Sequence, residues 1–217
     1  MDQGLNMALI NHAKKEINAK IVYYGPAGSG KGAALTYIYS RIKPSLRGDL
    51  KSVPAGADNL LFFDFNPFET PLPNGYRVRL HVYTLTGTVT NPATWKMTLK
   101  GADGIIIMVT PGAERITETR ESVSQLRGFL SAYGIGLHET PVLLQCNSPA
   151  HGNDSDAANT AEIAAALDLS ALPLLRSNAA SGEGFLEALT ALSRQLLDRV
   201  AASNDNSDEN IVLPSPS

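Results

Sequence analysis

Apolar and polar positions along this chain follow two rhythms, one of period two and one near 3.6, and they divide it into alternating elements. Residues 17–24, Ile-Asn-Ala-Lys-Ile-Val-Tyr-Tyr, are β-prone and run into Gly25-Pro-Ala-Gly-Ser-Gly, which predicts a strand and a turn. A helix is expected from Ala33 to about Arg41, stopped by Pro44. Residues 46–59, with Gly48, Pro54 and Gly56, read as a loop. Leu60-Leu-Phe-Phe-Asp-Phe reads as a strand, followed by a turn over Asn66–Gly75. Tyr76-Arg-Val-Arg-Leu-His-Val-Tyr alternates polar with apolar and reads as its antiparallel hairpin partner. Thr84–Ala93 reads as irregular.

Further along, Gly104-Ile-Ile-Ile-Met-Val is apolar throughout, as a strand covered on both faces requires. Glu114–Tyr133 has Ile116, Val123, Leu126 and Leu130 roughly on one helical face. Pro141–Cys146 predicts another buried strand, Ala157–Leu167 a helix, Leu172–Ser177 a short strand and Gly184–Val200 a last amphipathic helix. Alternating strands and helices imply an α/β fold: a mostly parallel central sheet with one antiparallel hairpin, and helices on both faces. The expected organisation is an N-terminal extension at 1–8, one domain at 9–201 and a tail at 202–217. That tail is acidic and polar, ends Pro-Ser-Pro-Ser, and reads as disordered.

Composition narrows the class without changing the fold. The chain has 217 residues, 43% hydrophobic and 18% charged, enough for one domain with a real core. Its net charge of −3 offers no electrostatic case for nucleic acid. A single cysteine, Cys146, excludes an internal disulfide and fits a reducing compartment. No apolar run is long enough for a membrane span and no signal-peptide pattern is present, so a cytoplasmic protein is expected.

The densest chemistry is Gly25-Pro-Ala-Gly-Ser-Gly-Lys31, which fits G-x-x-x-x-G-K between a strand and a helix. Glycines let backbone N–H groups turn inward around phosphate oxygens, and the helix presents its positive end to the same anion. Lys31 supplies a mobile charge for the outer phosphates. The plainer alternative is a glycine-rich turn carrying an exposed lysine. The next position breaks the motif. A Ser or Thr hydroxyl would ligate magnesium there, whereas this chain has Gly32 and then Ala33.

Ile17–Pro26, Leu61-Phe-Phe-Asp-Phe and Leu99-Lys-Gly-Ala-Asp-Gly resemble the gliding-motility MglA family of bacterial Ras-like GTPases, with similarity from about Leu9 to Val200. The resemblance implies a Ras-like P-loop domain over 9–201, a switch in polarity or motility, and a roadblock-domain partner of the MglB type. It places Gly25, Gly28, Ser29, Gly30, Lys31, Gly32 and Ala33 on the phosphates of GTP or GDP. It places Gly87 at the γ-phosphate sensor, and Asn147, Ala179 and Ala180 at the base.

The departures are concentrated at functional loops. Where the family carries Thr-Asp-Arg-Thr, this chain reads Ala57-Asp-Asn-Leu60, so Asn59 stands where an arginine would stabilise the transition state. Such an arginine is worth about three to five powers of ten in rate. The second switch reads Thr84-Leu-Thr-Gly-Thr88, where Thr88 replaces a water-orienting glutamine. The base-reading Asn-Lys-x-Asp is Asn147-Ser-Pro-Ala150, without the aspartate that selects guanine. The last loop, Asn178–Gly182, lacks its lysine. No catalytic residue and no metal ligand is assigned, and magnesium is left open.

Two functions remain: a pseudo-GTPase acting as an interaction module, or an active switch with atypical magnesium and guanine recognition. A small kinase is disfavoured by the absence of an arginine-rich lid sequence. His12, His81, His138 and His151 lack metal-ligand spacing. Cys146 reads as core, Tyr23 and Tyr24 as on or beside the core strand, and Asp64 as a solvent-facing or hydrogen-bonded strand residue. Trp95 and Met97 fit either a partner surface or helix packing.

Overall fold

The computed structural model describes residues 9–87, 89, 91–112, 115–148 and 156–204. The sheet is built around β2 (Glu16–Tyr24), and its described strands run in the order β3 (Lys51–Ala55), β4 (Asp58–Phe65), β5 (Arg77–Thr86), β2, β6 (Gly104–Val109), β7 (Val142–Ser148), β8 (Leu174–Asn178). From β5 to β8 the pairings are parallel. The expected β4–β5 hairpin is present, with Phe62 opposite Tyr83 and Asp64 opposite His81.

Two short strands extend the antiparallel part. The segment read as a loop at 46–59 contains β3, paired with β4 through a tight turn at Gly56 and Ala57. Its residues are mostly exposed, so no apolar alternation betrays it. Pro54 is tolerated because an edge strand leaves one row of backbone groups unpaired. The other addition is β1 (Leu9–Asn11), antiparallel to the first half of β2. It fits there because β6 pairs with β2 only from Ile21 onward.

Helices cover both faces. One face carries α1 (Lys31–Arg41) and α5 (Phe185–Asn204) over Ile17, Ile21, Tyr23, Phe63, Leu80 and Val82. The other packs α2 (Pro92–Leu99), α3 (Ile116–Ser131) and α4 (Asp156–Ala166) around Val22, Tyr24, Leu85, Ile105 and Ile107. Strand β6, buried at every position, takes part in both. Phe63 and Phe65 lie in one core while Asp64, on the opposite face, accepts a 2.7 Å hydrogen bond from Arg79. Helix α2 begins within the stretch read as irregular. Its local signal is the cap: Asn91 accepts a hydrogen bond from Ala93 N, and Pro92 opens the first turn. Ala202–Asn204 continue α5 rather than beginning the tail; 205–217 and the extension at 1–8 lie outside the described residues.

Candidate functional site

Parallel strands place the loops after their carboxyl ends along one edge of the sheet, which is where α/β proteins bind ligands. Here that edge collects Gly25–Gly30 after β2, Gly87 after β5, Thr110–Gly112 after β6, and Asn178–Gly184 after β8. The loop after β2 has the shape its glycines predict. Gly25 adopts φ 150, and a Cβ there would overlap the carbonyl oxygen of Met108 on β6. Gly30 caps α1 in the left-handed region, φ 93, with no side-chain cap bond. The first-turn N–H groups of α1 are therefore not taken by a capping side chain, leaving the arrangement that binds anions.

Lys31 is folded into this cradle and only 5% exposed. Its ammonium donates to the carbonyls of Gly25 (2.8 Å) and Pro26 (2.6 Å), with Ser29 Oγ at 3.4 Å. Trp95 of α2 lies over it, ring centroid 5.9 Å from Nζ, and packs against Tyr24 at 4.6 Å. Burial pulls the lysine down to about 8, opposed by the nearby Glu118 carboxylate. The plainer reading of an exposed lysine on a turn does not hold.

Asn147, expected at the base, reaches the phosphate loop. Its Nδ2 donates to Ser29 O at 3.1 Å, and its Oδ1 accepts from Ser177 Oγ at 3.4 Å. It therefore pins the phosphate loop to β7 and β8. The Asn178 side chain accepts from Ala180 N (2.8 Å) and Ser181 N (3.3 Å), so the Ala180 N–H is engaged within its own loop. Ala33 and Ala179 are exposed at the same edge, and Gly87, φ 81, has open space around it. Thr88 and Ala150 lie outside the described residues.

Among the described residues, the position where the motif carries a magnesium-ligating hydroxyl offers no side-chain oxygen. Gly32 has no side chain, and the Thr86 methyl would lie 3.3 Å from a Cβ at that position. Thr84 Oγ is buried and donates to Tyr23 O at 2.9 Å. Thr86 Oγ donates to Asn59 O at 3.3 Å. No group of three or more His, Cys, Asp or Glu residues among the described ones is arranged to hold a metal. The Thr86–Asn59 pairing puts position 59 on β4, with β5 between it and β2, the strand that leads into the cradle.

Sequence reasoning missed one side chain here. Arg115 follows the connection after β6, and its guanidinium Nη1 would lie 3.2 Å from a Cβ on Gly28, against the phosphate loop. The available signal was a basic residue just beyond a buried strand whose carboxyl end must reach the same edge. Trp95 is core, 5% exposed, whereas Met97 stands 76% exposed. His12 bonds Tyr76 and His81 bonds Asn18, while His151 lies outside the described residues. Cys146 is fully buried and its thiol is pushed up to about 12. It should resist thiol reagents in the folded protein and react fully only in denaturant, as a timed Ellman assay would record.

No family model matches the chain. It is 35% identical, over 191 residues, to the mutual gliding-motility protein MglA of Myxococcus xanthus, an alignment covering 88% of this chain and 96% of that protein. With the strand order, the cradle after β2 and this identity together, the chain belongs to the MglA family of Ras-like small GTPases.

Proposed function

We propose that this chain is a pseudo-GTPase of a polarity or gliding-motility system. It holds the phosphates of GTP or GDP in the Gly25–Gly32 cradle, turns them over weakly or not at all, and acts through protein docking. The observation that carries this reading is the split between cradle and chemistry. The cradle is complete: Lys31 on the Gly25 and Pro26 carbonyls, Asn147 on Ser29, an open helix start. The metal-ligating and charge-stabilising groups are not: Gly32 is bare, Thr84 and Thr86 spend their hydroxyls on backbone carbonyls, and Asn59 stands for arginine.

The similarity to a gliding-motility protein supports the setting. A roadblock-domain protein of the MglB type, or another component of the motility machinery, is the proposed partner. Met97 on α2 and Val53 on the edge strand β3 are the exposed large apolar side chains among the described residues, and both suit a protein contact. A cytoplasmic location is supported by the lone buried thiol, and no described helix is long and apolar enough to cross a membrane.

Trp95 provides the test, because it is the only tryptophan and lies over Lys31. Titration with GTP or GDP should shift its emission with saturation, and Lys31→Ala should remove the response. Affinity for a roadblock-domain partner should be the same in GTP and in GDP. A partner that binds one nucleotide form at least about tenfold more tightly would instead identify a working switch.

A further inference from the structure

We propose that Arg115 supplies the permanent positive charge that the phosphate chain requires at this site, making nucleotide binding independent of magnesium. The proposal rests on the nucleotide-binding reading above and names the group that completes it.

Three observations lead there. The first is position: Nη1, Nη2 and Cζ of Arg115 would lie 3.2, 3.7 and 3.9 Å from a Cβ on Gly28. The whole guanidinium plane thus lies against the loop whose N–H groups would face phosphate oxygens. A Cβ at Gly28 would press on it closely enough to shift it by a few tenths of an ångström. The second is the lack of a counter-ion. Among the described residues the Arg115 guanidinium has no hydrogen-bond or ion-pair partner, although the residue is half-buried. By contrast Arg79 pairs with Asp64 and Arg127 with Asp168. The same connection also holds Thr110 Oγ, buried without a partner. A partly desolvated, unpaired guanidinium is costly, and an anion in the cradle would relieve that cost.

The third observation is what the rest of the site lacks. Two or three phosphates bring several negative charges, normally neutralised by lysine and a metal together. Among the described residues the motif's metal-ligating position has no side-chain oxygen, the Thr84 and Thr86 hydroxyls are engaged by backbone carbonyls, and Lys31 is a lysine whose burial weakens its hold on its proton. Arginine stays charged at every working pH, and its fork matches phosphate oxygens. Glu118, one turn along α3 from Arg115, is the carboxylate that acts on Lys31.

The experiment is calorimetric titration of the full chain with GDP and with inorganic pyrophosphate, each in magnesium and in EDTA. Wild type, Arg115→Ala, Arg115→Lys and Lys31→Ala are compared, with a thermal melt for each. Wild type should bind equally, within about twofold, with and without magnesium. Arg115→Ala should lose about tenfold or more for both ligands in both buffers, roughly 1.4 kcal/mol. Arg115→Lys, which keeps charge and stem, should fall between them and carries the test should the alanine variant melt early. Wild-type affinity that collapses in EDTA overturns the proposal, because a metal then supplies the charge. Arg115→Ala binding like wild type while Lys31→Ala does not overturns it and leaves the nucleotide reading standing. A loss confined to GDP, with pyrophosphate unaffected, assigns Arg115 to ribose or base and overturns it too. Wild type that binds neither ligand overturns both readings.

Discussion

Lys31→Ala is expected to weaken GTP and GDP binding by about 100-fold or more, roughly 2.7 kcal/mol. The ammonium is already held inside the loop on the Gly25 and Pro26 carbonyls, so little side-chain freedom remains to be lost when a phosphate replaces those acceptors. It is also buried, where a charge-assisted hydrogen bond is stronger than in water. Burial sets a pH dependence. In the free site the lysine releases its proton near pH 8, and a bound phosphate favours the protonated form. Affinity should be full below about 8 and fall as pH rises through that value, whereas Lys31→Ala should show a flatter profile. Folding carries the opposite sign. The folded value lies below the ordinary 10.5, so the unfolded chain binds more protons between about 8 and 10.5. This group's contribution to stability therefore rises with pH across that window. Calorimetry at pH 7 and 9 measures the first effect, and denaturant melts over the same range and above measure the second.

Gly25→Ala should lower stability by about 3 kcal/mol, which for a chain of this size means a fall in Tm of roughly 6–12 °C. The cause is steric and backbone-deep. At φ 150 a Cβ would be driven into the Met108 carbonyl, with Ser29 Oγ also only 3.1 Å away. Met108 belongs to β6, hydrogen-bonded between β2 and β7, so neither partner can yield without disturbing the sheet. Gly87→Ala is the matched contrast. It also has positive φ, but nothing lies within 4 Å of its Cβ, so only the local conformational strain of about 1 kcal/mol applies. Thermal melts of the two variants side by side separate the clash from the strain.

The fold was legible wherever burial imposed a pattern. The Gly104–Val109 run announced a central strand because both of its faces are covered, and the stripe through Val123, Leu126 and Leu130 announced α3. Strand β3 was not legible, because Lys51-Ser-Val-Pro-Ala lies at an edge and mostly in solvent, and hydrogen bonding to β4 rather than burial holds it. Helix α2 was overlooked although Asn91 and Pro92 mark its start, since its eight residues are too few for a clear period. The phosphate loop was readable because its parts are contiguous. What surrounds it was not, because Asn147 reaching Ser29, Trp95 covering Lys31 and Arg115 lying on Gly28 are contacts between distant stretches of chain. Only the sheet, by bringing its strand ends to one edge, sets them side by side.

A cradle without turnover is the centre of this account, and single-turnover hydrolysis tests it most directly. GTP is incubated with a saturating excess of protein and magnesium, and GDP is followed by chromatography. The account predicts GDP formation at or near the spontaneous rate, unchanged by Lys31→Ala. Hydrolysis well above that rate, lost in Lys31→Ala, would contradict it and establish a working GTPase.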